Sequence, residues 1–261
     1  MSKHHRVWNK DTYDRYVRNG RGCGSGAEYT PWIRIQDFAS RGVVSRVKGR
    51  TTGRIHHLMS NNELAYFYIL DWSDSVTDIR EQYPLSDLDC AVHSATRAGI
   101  RYPTDNVSGF PYVMTCDFMI TSTTGMKART IKMTAELENA RTLEKLEIER
   151  RYWAVQGVDW RIVTEHEISR QKAKNIEWIY TVEGFTVAGR NEYETEHYRC
   201  VLLNLLTTDD RSIIEAATIV ESEFMLPIGT GLQLFKQLVL DRKLTIDLSQ
   251  PVNLKATVVA A

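Results

Sequence analysis

Apolar positions recur at three- and four-residue spacing through Leu137, Ala140, Leu143, Leu146 and Trp153, which predicts a long helix over 137–156 stopped by Gly157. A second helix is predicted from Ser60 through Leu70, and 76–84 reads as extended or turn-rich. Residues 86–110 are polar and broken by Gly99, Pro103 and Gly109, so an irregular insertion with one short helix is expected. Strands are predicted over 113–121, 128–133 and 158–164, the first two joined by the turn Ser122-Thr123-Thr124-Gly125, and a helix over 172–180. After a linker at 184–189 the pattern changes to three helices, 192–206, 211–224 and 229–242. A hairpin of 244–248 with 254–259 then turns at Ser249-Gln250-Pro251. Three helices and a hairpin are the outline of a winged helix, with either DNA or protein as its partner.

Composition narrows the class. The chain has 261 residues, 43% hydrophobic and 25% charged, enough for one large or two ordinary domains and unlike a disordered or fibrous chain. No apolar run approaches the ~20 residues of a membrane span, and residues 1–6 lack the apolar stretch of a secretory signal. Cys23, Cys90, Cys116 and Cys200 form no CxxC pair, so a reduced intracellular protein without structural zinc is expected. The net charge of zero hides an asymmetry: residues 1–58 hold 12 Lys and Arg against 4 Asp and Glu. Interleaved Trp8, Tyr13, Tyr16, Tyr29 and Trp32 suit a polyanion surface, although the same charges can pair with the acidic remainder of the chain. The glycine-rich 19–26 lacks both the Gly-Lys-Ser/Thr of a P-loop and the strand that precedes a dinucleotide-binding turn, and reads as a flexible connector.

The sharpest chemical constellation is Glu63, Asp117 and Lys132. Adjacent antiparallel strands can set Asp117 beside Lys132. Asp117, the Ile131 carbonyl and Glu63 would offer the oxygen donors that a hard cation prefers. Lys132 would orient or help deprotonate an attacking water, or offset charge on phosphate oxygens. Each residue also has a structural reading. Ser60-x-x-Glu63 is a capping box, Asp117 and Lys132 fit a cross-strand ion pair, and Glu149 fits surface charge. The adjacent pairs His4-His5 and His56-His57 do not converge on one metal from one face, which leaves them to phosphate contact or packing.

Seven ordered blocks carry a more specific signal. Tyr29-Thr-Pro-Trp-Ile33, Gly53-Arg-Ile-His-His-Leu58 with Ser60-x-x-Glu63-Leu-Ala, Asp78-Ile-Arg-Glu-Gln-Tyr-Pro-Leu85, Asp117-Phe118 and Ile131-Lys132 are five of them. The others are Arg141-Thr-Leu-Glu-Lys-Leu-Glu-Ile-Glu-Arg-Arg-Tyr-Trp153 and Asn175-Ile-Glu-Trp-Ile179. Together, over roughly 18–180, they resemble the TnsA family, the endonuclease subunits of heteromeric transposases.

The resemblance implies an α/β chain: a restriction-endonuclease-like mixed sheet flanked by helices, of the PD-(D/E)xK type, followed by a small winged-helix domain. The expected division is a basic arm over 1–25, a catalytic domain over 26–183 and a winged-helix-like domain over 190–261. The family's catalytic glutamate, aspartate and lysine fall on Glu63, Asp117 and Lys132, and a further glutamate falls on Glu149. The implied cofactor is Mg²⁺, with Mn²⁺ as a substitute, held by Asp117, Glu63 and the Ile131 carbonyl. Arg46, Lys48, Arg50, Arg54 and His56 become the expected DNA contacts. The implied activity is cutting of the 5′ strands at transposon ends. The implied partners are transposon-end DNA, a TnsB-like DDE transposase that processes the 3′ strands, and a TnsC-like AAA+ ATPase that meets the C-terminal region. The expected location is the bacterial cytoplasm, on DNA and away from membranes. One position departs from the family: Thr130, two before the lysine, stands where Gln, Glu or Asp is usual. The alternative is therefore a nuclease-fold adaptor with weak or absent chemistry, linking transposase, ATPase and DNA.

Overall fold

The computed structural model describes residues 7–37, 43–208 and 211–260, so His4-His5 and the rest of residues 1–6 lie outside it. The chain divides into two compact units, Met1–Ile168 and Ser169–Ala261.

In the first unit, α1 (Lys10–Arg18) is capped by Asn9, whose side chain accepts from the Thr12 amide. A two-stranded antiparallel ribbon follows, β1 (Ser45–Lys48) with β2 (Ile55–Leu58), and leads into α2 (Asn61–Asp71). The central sheet has the order β3-β4-β5-β6: β3 (Val76–Pro84), β4 (Thr115–Ser122), β5 (Gly125–Ile131) and β6 (Asp159–Val163). The first three strands are antiparallel, and β6 runs parallel to β5. A parallel neighbour needs a crossover, which α4 (Ala140–Val155) supplies.

The polar stretch after β3 contains more order than its composition suggests. It forms α3 (Leu88–Arg97), whose packed side is the small pair Ala91 and Ala95. These meet Met119 and Ala128 of the sheet and Ile148, Tyr152 and Trp153 of α4 in one core. The opposite face is covered by α2, where Tyr66 lies 5.8 Å from Phe118. The α4 helix begins at Ala140 rather than 137, because Thr134–Glu138 forms a 3-10 turn in which Glu136 accepts from the Met133 amide.

The N-terminal aromatics pack against each other instead of facing outward. Trp8 stacks on Tyr112 at 6.0 Å and meets Tyr16 and Trp32 edge-on, while Tyr29 and Trp32 are buried. The glycine-rich 19–26 is a built loop. Gly22 donates to the Thr30 carbonyl and has positive φ, and a Cβ there would sit 2.4 Å from Pro84.

The second unit contains α5 (Arg170–Tyr180), α6 (Glu192–Thr208), α7 (Ile213–Glu223) and α8 (Thr230–Leu240). Two short strands, β7 (Leu244–Thr245) and β8 (Val259–Ala260), pair antiparallel. The sequence boundary at 184–189 falls too late against this division, because α5 is anchored within the second unit. Its Asn175 amide donates to the Leu248 and Gln250 carbonyls, and Lys236 of α8 donates to Thr181 just beyond the helix. No helix among the described residues is long and apolar enough to cross a membrane.

Candidate active site

Four of the sequence-selected residues gather at one end of the central sheet. Glu63 occupies the third position of α2, with its backbone donating to Ser60 Oγ at 3.1 Å. Its carboxylate accepts from Ser60 Oγ at 2.9 Å, from the Met59 amide at 2.9 Å and from Gln82 Nε2 at 3.2 Å. The expected capping box is half formed: Ser60 caps α2, but Glu63 reaches the Met59 amide and the Ser60 hydroxyl instead of the Ser60 amide. Burial, followed by the negative charge of Asp117, pushes the Glu63 carboxyl up to about 8.

Asp117 lies on β4, and its Oδ2 accepts from the Ile131 amide at 2.6 Å. Burial raises its pKa, and Lys132 works in the opposite direction. The expected cross-strand ion pair does not form: among the described residues Lys132 has no carboxylate within salt-bridge distance, and its Nζ donates to the Ile131 carbonyl at 3.0 Å. Burial alone would lower the lysine, but Asp117, Glu149, Glu136 and Glu63 together raise it. Lys132 is therefore an ammonium at neutral pH in the metal-free chain. That suits it to holding phosphate charge better than to accepting a proton.

Glu149 is not a surface charge. It is 5% exposed and accepts from Thr130 Oγ1 at 2.5 Å and from Trp160 Nε1 at 3.2 Å. Burial pushes its carboxyl up to about 7. The register that pairs Phe118 with Arg129 sets Thr130 across from Asp117, so α4 delivers a carboxylate to the strand position where this chain has a hydroxyl. Two contributors escaped the sequence reading, Gln82 and the Thr115 hydroxyl that donates to its Oε1 at 3.3 Å. Register alone would have found them, since it leaves Gln82 opposite Asp117.

The residues present fit a hard cation. Three carboxylates, Glu63, Asp117 and Glu149, share a single nearby ammonium, and two of them are raised to about 7 and about 8. Among the described residues no three acidic, histidine or cysteine side chains converge closely enough to hold an ion alone. Glu63 and Asp117 are therefore two carboxylate donors whose set a hard cation would complete with backbone or water oxygens. The Thr130 hydroxyl is already directed at Glu149 and adds nothing to that set.

The basic residues divide. Arg46, Lys48 and Arg50 are exposed along β1 and the turn after it. Arg54 and His56, expected on DNA, face inward to Glu81. The Arg54 guanidinium donates to both Glu81 oxygens at 2.8 and 2.6 Å, and His56 Nδ1 lies 2.7 Å from Oε2. The His57 amide adds a further donor at 3.0 Å. Against the cost of burial, these partners hold the Glu81 carboxyl down at about 2.

A mixed sheet flanked by helices, with carboxylates and a lysine at its end, defines a restriction-endonuclease-like α/β protein. Two family models match the chain: TnsA-like endonuclease N terminal over residues 73–165, and TnsA endonuclease C terminal over 167–248. The chain is also similar to the transposon Tn7 transposition protein TnsA of Escherichia coli, 40% identical over 186 residues, covering 70% of this chain and 67% of that one. The chain belongs to the TnsA family. The two family models meet at the same place as the two structural units.

Proposed function

We propose that the chain is the Mg²⁺-dependent DNA endonuclease subunit of a heteromeric transposase, cutting the 5′ strands at transposon ends while a DDE partner processes the 3′ strands. The observation that carries this reading is the group of buried Glu63 and Glu149 with half-buried Asp117 and Lys132, whose excess of carboxylates favours a cation. Glu63, Asp117 and the Ile131 carbonyl would hold Mg²⁺. When bound, it supplies Lewis-acid polarisation of the scissile phosphate. Asp117 is held by the Ile131 amide and Glu63 by Ser60 Oγ and the Met59 amide, which limits how far either carboxylate would have to move. Lys132, which rests on the Ile131 carbonyl in the metal-free chain, would leave that oxygen to the cation and offset the charge that develops on the phosphate oxygens.

DNA would approach over exposed Arg46, Lys48 and Arg50. It would also meet a cleft of about 450 Å³ lined by Arg101, Arg141 and Lys145. Arg141 pairs with Glu144, whereas Arg101 and Lys145 have no carboxylate partner among the described residues. Tyr102, which lines the same cleft, shares a core with Ile148 and Tyr152 of α4, the helix that carries Glu149. The second unit, whose last three of four helices and short strand pair follow the order of a winged helix, would meet a TnsC-like ATPase.

The test is strand-specific cleavage of a labelled transposon-end duplex with Mg²⁺, with the cognate transposase and ATPase present. Wild type is expected to cut the 5′ strand, and Lys132→Ala to lose at least ~100-fold in rate with its fold intact. A complete assembly that processes 3′ strands but never cuts the 5′ strand would overturn the nuclease reading and favour the adaptor.

A further inference from the structure

Gln82 is the one non-glycine residue of the central sheet whose backbone has the left-handed conformation, with φ of 49° inside β3. A side chain there meets steric opposition that glycine avoids, and such residues persist where surrounding structure holds them for a purpose. The strand's alternation also breaks at this point, because Glu81 and Gln82 are both buried. If the backbone bend alone mattered, glycine would serve better. What glutamine adds is a neutral amide.

That amide is held at both ends. Nε2 donates to Glu63 Oε2 at 3.2 Å, and the β3–β4 register sets Gln82 across from Asp117. At the other end, Thr115 Oγ1 donates to Gln82 Oε1. A hydroxyl donor at Oε1 fixes which way the amide faces and leaves the NH₂ group on Glu63. A lysine in this place would cancel the negative charge a cation needs, and a glutamate would add to the repulsion. The amide ties Glu63 to the strand position opposite Asp117 and changes neither charge.

We infer that Gln82 is a positioning residue, held in a strained strand conformation so that its amide, oriented by Thr115, keeps Glu63 and Asp117 at the separation in which they share one cation. This inference rests on the nuclease reading and deepens it.

The experiment uses the full chain as wild type, Gln82→Gly, Thr115→Val and the double variant. Metal-free Tm, Mg²⁺ affinity by calorimetry, and 5′-strand cleavage in the assembly across a Mg²⁺ titration are measured for each. Gln82→Gly relieves the backbone but vacates a buried side chain, effects of opposite sign, so Tm is expected to change by no more than about 4 °C. Mg²⁺ affinity and cleavage are each expected to fall roughly 10–100-fold. Thr115→Val is expected to lose less, and the double variant no more than Gln82→Gly alone, since both act through one amide. Wild type that cuts while Gln82→Gly cuts and binds Mg²⁺ within about twofold of it overturns the inference. So does a Tm that falls in step with activity, or a double variant in which the two losses multiply. Wild type that binds Mg²⁺ but does not cut defeats the nuclease reading alone, and the affinity series still decides the role of Gln82. Wild type that does neither overturns both.

Discussion

Replacing Glu81 with glutamine tests whether the buried Arg54–Glu81–His56 group supports the fold. The carboxyl stands at about 2 in the folded chain against an ordinary value of 4.5, a gap of about 2.5 pKa units. At 1.36 kcal/mol per unit, this corresponds to roughly 3 kcal/mol of stability at neutral pH. The ion pair itself implies a similar size: removing one partner of a buried pair costs about 3–5 kcal/mol, and the Arg54 side chain is only 8% exposed. Spread over a unit of this size, Glu81→Gln should lower Tm by about 6–12 °C at pH 7. The sign follows from a depressed acid. The contribution is complete above the unfolded value and is lost as pH falls from 4.5 through about 2. Thermal or urea unfolding between pH 7 and pH 2.5 should therefore show wild type and Glu81→Gln far apart at neutral pH and converging in acid. Parallel curves over that range would refute the linkage. A shift of less than about 2 °C at pH 7 would refute the structural role altogether.

Two further predictions concern charge. Glu149 is a raised acid, so its ionisation destabilises the metal-free fold progressively as pH climbs from 4.5 through about 7. Glu149→Gln should raise the metal-free Tm at pH 8 by several degrees and leave it nearly unchanged at pH 4.5, and a pH-independent difference would contradict this. Replacing Arg101 and Lys145 together with alanine should weaken transposon-end binding in Ca²⁺ and flatten the plot of log affinity against log salt by about 2. An unchanged salt slope would remove the cleft from the DNA path.

How far the sequence could be read depended on which interactions were local. The α4 helix, the strand pair around Gly125 and the Ser60 cap of α2 follow from nearest-neighbour chemistry, and the structure places them within a few residues of their predicted bounds. The grouping of Glu63 with Asp117 and Lys132 was legible only through ordered resemblance, because the separation of 54 residues between the two acids says nothing about distance. The α3 helix was half hidden because its buried side is alanine, too small to mark an apolar stripe. Arg54 and His56 looked like DNA contacts because Glu81 reaches them from another strand, and no pattern in 53–58 reveals that partner. Thr130 looked like a missing ligand for the same reason, since the carboxylate beside it arrives on a helix 19 residues later. Trp8, Tyr16 and Trp32 misled in the same direction: aromatics among cations suit a ligand surface, and equally suit the small internal cluster they form.

The double use of Glu63 bears on how such a chain can decay over generations. A nuclease that becomes dispensable inside its assembly usually drifts to inactivity through substitutions that are silent in every other respect. Here the side chain also accepts from Ser60 Oγ and the Met59 amide at the start of α2. Losing such an acceptor costs about 1 kcal/mol per hydrogen bond of a stability that is only ~5–15 kcal/mol in total. Selection for a well-folded subunit therefore shelters an acceptor at position 63, which glutamine also supplies, and not the charge, since ionising a carboxyl raised to about 8 works against the metal-free fold. Lys132, with no such second task among the described residues, is where loss of chemistry would be recorded first.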